Sequence, residues 1–403
     1  MNDLKIKNSQ QTFSIIDISM IWAGINICLP SFMLGGILVP SLHPITAIII
    51  TILGNTMVAV LIYLLALPGL YYGYSSAIMS RYIFGRFGSY FTSFLVLASM
   101  IGWSGILLEL SAQATMEIFK YYNITLNYEV IVIIIGFIII LSSQAGAKQI
   151  SKINNLNVPM LLFLLIWISY IIFKEYNIFS LLSYKIVNDL SYNRSLDLVI
   201  GGTIAGIFVS SDLNRFAVNK KSLSLGVFIG TIPATTFMAT IGILASLAAG
   251  SWNPINIIIN LGMGIPALLL VVLSIWTTTQ ASLYSGSLAI TNIFPALTRK
   301  KAVIVLGIIM ILTAIYQILS DFEVWLILLD NLFSPIIAIA LYKTLSSRYS
   351  KLKIDWNALI TIVSVLLLKN ITPASISSAI LTIFNTIIIY FLIEKIRPSL
   401  RRT

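Results

Sequence analysis

Ala23-Gly24-Ile25-Asn26-Ile27-Cys28-Leu29-Pro30-Ser31-Phe32-Met33-Leu34-Gly35-Gly36 is the stretch on which the reading of this chain turns. It is apolar enough to enter a bilayer, yet Pro30 removes a backbone donor in its middle. Glycines on both sides lower helix stability further. Unwound backbone at membrane depth survives only where it is buried in protein or lines a polar cavity. The surrounding composition makes membrane depth the relevant setting. Of 403 residues, 58% are hydrophobic and only 10% charged, and the mean hydropathy is +0.97. Water-soluble chains carry roughly a quarter charged residues. The composition therefore excludes a set of soluble domains, a disordered chain and an ordinary cytosolic enzyme, and implies a polytopic membrane protein.

Cys28 is the only cysteine and His43 the only histidine. An internal disulfide and thiolate or imidazole metal clusters are thereby excluded. The net charge of +11 does not imply nucleic acid, because lysines and arginines are scattered among short loops. Residues 1–11 are polar and lack a signal-peptide pattern, so the first hydrophobic segment is expected to stay in the protein.

Apolar runs between charged or turn-rich breaks predict twelve spans, at 17–40, 45–70, 89–118, 128–147, 157–173, 196–213, 223–249, 264–294, 302–319, 322–342, 356–372 and 376–394. Alternating the connections from a cytoplasmic start puts Lys120, Lys174, Lys185, Arg194 and Lys369 outside. All the other members of the 25 lysines and arginines fall inside. Cytoplasmic loops hold the basic excess, so the sequence predicts a multi-pass protein of the cell membrane with both termini cytoplasmic.

The sixth span, Ile200-Gly201-Gly202-Thr203-Ile204-Ala205-Gly206, has three glycines in seven residues and is expected to break as the first does. Interrupted helices at matching positions of two halves point to a transporter's binding site. Spans one and six are five helices apart, as two inverted five-helix repeats require. The expected organisation is a single domain over 1–403, with repeats at 17–173 and 196–342 and accessory helices at 356–394. Span eight adds Ser274-Ile275-Trp276-Thr277-Thr278-Thr279-Gln280-Ala281-Ser282, six of whose nine residues are Ser, Thr or Gln. That is too polar for a lipid face. Thr277, Thr278 and the Ser274 carbonyl one turn earlier suit a dehydrated alkali cation, with further carbonyls from a broken helix. Trp276 points elsewhere on the helix and reads as structural.

Gly102-Trp103, Ser211-Asp212-Leu213-Asn214-Arg215-Phe216, Ile275-Trp276-Thr277-Thr278 with Leu283-Tyr284, and Arg81-Tyr82-Ile83-Phe84-Gly85 together resemble the nucleobase–cation symporters. The resemblance runs over most of the chain. It implies an all-α LeuT-type fold of two five-helix inverted repeats plus two C-terminal helices. It also implies alternating access, with a planar heterocycle carried alongside sodium or a proton and no other cofactor. By resemblance Trp103 is the wall on which the substrate ring stacks, with Gly102 and Gly105 leaving space beside it. Thr277 and Thr278 are sodium ligands, and Ser274 is the position before them. Gly24, Ile27 and Cys28 occupy the carbonyl-donor region of span one, with Ser31 beside the substrate.

The chain departs from the family at several substrate positions. Met100 stands where the family has a substrate-bonding glutamine. Gly202 and Thr203 replace a serine and a second aromatic wall, and Thr279 and Gln280 replace an Asn-Asp pair. A hydrogen-bonding site discriminates strongly between analogues, so the family resemblance implies the transporter class but not which heterocycle is carried.

Glu109 and Asp330 lie within hydrophobic spans, where carboxylates usually face a bundle or cavity and mark ion or proton paths. Each reads either as a proton-coupling or gating group or as a carboxyl bonded to a neighbouring helix. Asp212 and Arg215 read as a local ion pair at the inner gate or as a capped helix end. A membrane-embedded enzyme such as a lipid-linked transferase would need clustered Asp, His or Arg near one leaflet, and none occurs. A symporter of a non-nucleobase substrate, such as a vitamin precursor, is the alternative within transporters. The sequence carries no signal of oligomeric state.

Overall fold

The computed structural model describes residues 11–144, 147–187, 190–294, 296–346, 353–371 and 379–396. The predicted termini, residues 1–10 and 397–403, and the start of the last predicted span at 376–378 lie outside them. Helices α1 (Ile15–Asn26) and α2 (Leu29–Leu38) are followed by α3 (Pro44–Tyr72), α4 (Ser76–Phe84), α5 (Gly88–Tyr121) and α6 (Tyr128–Ser143). Then come α7 (Ala147–Glu175), α8 (Ile178–Leu182), α9 (Tyr192–Phe208), α10 (Ser211–Asn214), α11 (Lys220–Ala249) and α12 (Pro254–Asn260). The chain continues with α13 (Gly264–Ile293), α14 (Arg299–Ile315), α15 (Phe322–Leu345), α16 (Trp356–Ile371) and α17 (Ala379–Ile396). Seven of these helices are long and apolar enough to cross a membrane, and the pair α1–α2, bent by 60°, makes an eighth. With the shorter helices α6, α9, α14 and α16, this agrees with twelve passes.

The first span breaks where the sequence predicts. Ser14 and Asp17 form a capping box that starts α1, a feature worth about 1 kcal/mol. Cys28 is extended and caps α2, with Pro30 in that helix's first turn, where a missing N–H costs little. The glycines after the proline serve a different purpose. A Cβ on Gly35 would lie 2.0 Å from the Ala239 carbonyl oxygen, and one on Gly242 2.0 Å from that of Phe32. Gly35 and Gly242 let α2 and α11 touch backbone to backbone, which is how small residues are used between membrane helices.

The contacts between helices come in matched sets. α1 packs on α11 as α9 packs on α3, and α14 on α5 as α6 on α13. Likewise α7 meets α11 and α13 as α15 meets α3 and α5. Each pair relates a helix of the first five spans to its counterpart in the second five. The result is a bundle of spans one, two, six and seven beside a second set of spans three, four, eight and nine. α17 packs on α15 and α16 outside this symmetric unit.

The sixth span departs from expectation. α9 runs unbroken through Gly201, Gly202 and Gly206, and the helix stops only at Val209–Ser210. A Cβ on Gly201 would sit 2.3 Å from the Leu326 carbonyl oxygen, so this glycine admits α15 instead of unwinding α9. Beyond the break, polar bonds hold α10 in place. Ser211 Oγ donates to the Leu65 carbonyl at 2.9 Å, and Trp22 Nε1 donates to Asn214 Oδ1 at 3.0 Å. Gly201→Ala should therefore destabilise the protein by about 1–3 kcal/mol through overpacking, seen as a lowered melting temperature. A neutral melting temperature would restore the hinge interpretation.

Candidate functional site

The bend in span one releases carbonyls. The Cys28 N–H, which a continuous helix would give to Gly24, goes to the Asn26 carbonyl at 3.0 Å. The Ser31 N–H goes to the Cys28 carbonyl at 3.1 Å instead of to Ile27. Gly24 and Ile27 thus lose the amides that a regular helix would supply, whereas the Cys28 carbonyl serves the first turn of α2. Cys28 Sγ lies 3.3 Å from Ser31 Oγ, so Ser31 is engaged locally.

On α13, Thr277 Oγ1 donates to the Ser274 carbonyl at 2.8 Å and Thr278 Oγ1 to the same carbonyl at 3.0 Å. A hydroxyl that gives its proton to a carbonyl still has lone pairs to offer a cation. Gly24 faces Val158 of α7, 3.7 Å from the position of a Cβ, and α13 also packs on α7.

The substrate set divides. Trp103 is half-buried, and its ring meets Phe322 edge-on at 5.8 Å. Phe322 in turn stacks on Trp252 at 5.8 Å and 15°. This aromatic ladder covers the predicted outer side of Trp103. Glu109 ties the same cover down: its Oε2 accepts the Leu319 N–H at 2.9 Å and its Oε1 a bond from Gln113. Gln113 Oε1 accepts from Asn253, next to Trp252. Glu109 thus bonds its neighbouring segments. Toward the predicted inner side lies a narrow crevice lined by Leu65, Met79, Ser80, Phe208, Ser211 and Thr344 among others.

Gly202 and Thr203 are half-buried, with Gly202 facing Leu34 of α2. Two other expected contacts, Gln280 and Met100, face elsewhere. Gln280 Nε2 donates to Ser142 of α6 at 2.6 Å, and Trp276 Nε1 donates to the same hydroxyl at 3.0 Å. Thr279 Oγ1 bonds the Ile275 carbonyl. Met100 packs toward Gly286 between α5 and α13. The space beside Trp103 is also already occupied. A Cβ on Gly102 would meet Trp325 at 2.2 Å, and one on Gly105 would meet Thr313 at 2.2 Å.

Asp330 pairs with Lys369 at 3.1 Å and accepts from Ser334 at 2.7 Å. Lys369, in the last turn of α16, therefore turns its ammonium into the protein. Asp197, which sequence reasoning passed over, accepts the Ala379 N–H at 2.6 Å; a carboxylate three residues after Arg194 in an apolar span was the available signal. The Asp212 carboxylate caps α4 through the Ser76 N–H and hydroxyl, at 2.9 and 2.6 Å. The Arg215 guanidinium lies over the Phe216 ring.

With this arrangement in hand, similarity to known proteins is informative. Residues 5–364 match the family model described as permease for cytosine/purines, uracil, thiamine, allantoin. Cytosine permease of Escherichia coli (strain K12) is 22% identical over 359 residues, covering 86% of this chain and 84% of that protein. Hydantoin permease of Microbacterium maritypicum is 22% identical over 354 residues, covering 82% of this chain and 72% of its own. The inward-facing structure of Mhp1 superposes with a TM-score of 0.89 at 20% identity, covering 99% of this chain and 94% of that one. Family match, helix order and paired contacts agree: the chain is a permease, not an enzyme, and belongs to the nucleobase–cation symporter family of cytosine/purine, uracil, thiamine and allantoin permeases.

Proposed function

We propose that this protein imports a small planar heterocycle of the nucleobase, hydantoin or allantoin type by alternating access coupled to a cation gradient, with sodium as the ion. The observations that carry this reading are the half-buried Trp103, covered from the predicted outer side by Phe322 and Trp252, and the bend in span one with its released carbonyls. Substrate contacts are assigned to Trp103, Thr203, Gly202 and Ser31. Sodium is assigned to the Gly24 and Ile27 carbonyls with Thr277 and Thr278, Ser274 orienting both hydroxyls. A hard cation takes oxygen ligands, and two adjacent hydroxyls donating to one carbonyl present their lone pairs together. The transport unit comprises repeats at 17–173 and 196–342, accessory helices at 356–394, and cytoplasmic termini.

Ligands that bind the folded state raise its stability with the logarithm of concentration over Kd. Melting of the detergent-purified protein with cytosine, uracil, purines, hydantoins and allantoin, with and without sodium, therefore tests both parts. One ring should raise the melting temperature, and sodium should enlarge the shift. Thr278→Ala should remove the sodium increment while leaving the unliganded melting temperature within a few degrees. Full sodium dependence in that variant would sink the ion assignment.

A further inference from the structure

The family's second aromatic wall is missing from span six, where Thr203 stands. The structure offers an indole from another helix. Trp325, one turn into α15, lays its benzo edge on α5: a Cβ on Gly102 would meet Cζ2 at 2.2 Å, Cη2 at 2.4 Å and Cε2 at 2.7 Å. Only a glycine accommodates that approach, and the next residue is Trp103. The molecule has two large buried cores, one toward each predicted membrane face. Among the described residues, Trp103 and Trp325 are the only half-buried side chains that pack against both. They therefore sit at one depth, where the cores meet. Leu326, the neighbour of Trp325, lies against Gly201 and Gly202 of α9, so this turn of α15 is level with the position of the missing wall.

The indole N–H supplies the chemistry. Trp22 and Trp276 give their N–H groups to Asn214 and Ser142. Nε1 of Trp325 is buried and has no hydrogen-bond partner among the described residues. Buried indole donors usually find an acceptor, and leaving one unmet carries a desolvation cost. Nε1 is bonded to Cε2, one of the atoms closest to Gly102, so the unmet donor lies against α5 in the turn that carries Trp103.

We propose that Trp325 is the second aromatic wall of the substrate site and that its N–H donates to a carbonyl oxygen on the ring edge. This rests on the reading of the protein as a heterocycle carrier and narrows it to oxo-substituted rings. A ring without an exocyclic carbonyl leaves the donor unmet, and sites built around such a bond reject analogues that lack the partner.

The test is binding of uracil, hydantoin, cytosine and adenine to the full-length protein, wild type and Trp325→Phe. The wild type should prefer an oxo ring over adenine. Trp325→Phe keeps an aromatic wall but no donor, and should weaken the preferred oxo ring about tenfold while leaving adenine and the sodium response unchanged. An unchanged preference in Trp325→Phe, or a wild type that prefers adenine, would overturn the proposal. A wild type that binds none of the four in folded form would instead overturn the heterocycle reading beneath it. Should Trp325→Phe not fold, a structure of the wild type with its preferred ring decides. A ring oxygen at roughly 3 Å from Nε1 supports the bond, and an N–H directed elsewhere refutes it.

Discussion

Trp103→Ala is expected to reduce affinity for the transported ring by at least ~100-fold. Removing a buried aromatic anchor typically costs about 2–4 kcal/mol of binding, and stacking contributes beyond buried area. The variant should also loosen the outer cover, because Trp103 supports Phe322, which supports Trp252. Two readouts separate these effects. Ring binding should be lost in protein that still melts cooperatively, and the melting temperature without ligand should fall only modestly. Trp103→Phe should recover part of the binding, since it restores a stacking face and an edge for Phe322. Unchanged affinity in Trp103→Ala would remove this residue from the site and with it the depth at which the substrate is placed.

How much of this was legible in the sequence depends on whether a residue's role is set locally or across helices. The break in span one was legible because Pro30 acts on its own backbone, whatever surrounds it. The glycines of span six were not, because a glycine that unwinds a helix and one that admits a neighbour look the same in sequence. Only the Leu326 carbonyl against Gly201 tells them apart. Gln280 was legible in principle. It lies one turn from Trp276, so both share a helix face, and both bond Ser142. Trp325 lay beyond reach, because its place follows from α15 crossing α5 at Gly102. A glycine directly before an important tryptophan was the one available hint that something large lies opposite.

Asp330→Ala is expected to be the most destabilising of the substitutions considered. Asp330 is fully buried, and Lys369 is 13% exposed. Their pairing joins α15 to α16, while Asp197 joins α9 to the start of α17 through the Ala379 N–H. Two carboxylates thus share the surroundings of one ammonium at the junction between the symmetric unit and the accessory helices. Deleting one partner of a buried ion pair costs about 3–5 kcal/mol, mostly because the remaining charge stays buried. Replacing both partners with apolar residues of similar size is often close to neutral. The cycle of Asp330→Ala, Lys369→Met and the double variant isolates the coupling. The double variant should be more stable than Asp330→Ala alone, as measured by thermal or denaturant unfolding in detergent. If the double variant were as unstable as the sum of the singles, the pair would contribute no coupling. Asp330→Asn then separates structure from transport. It keeps the bond with Ser334 and most of the shape, so a folded variant with intact sodium-driven uptake would identify Asp330 as an anchor for the accessory helices. A folded variant that still bound the ring but had lost sodium-driven uptake would make it part of the coupling path.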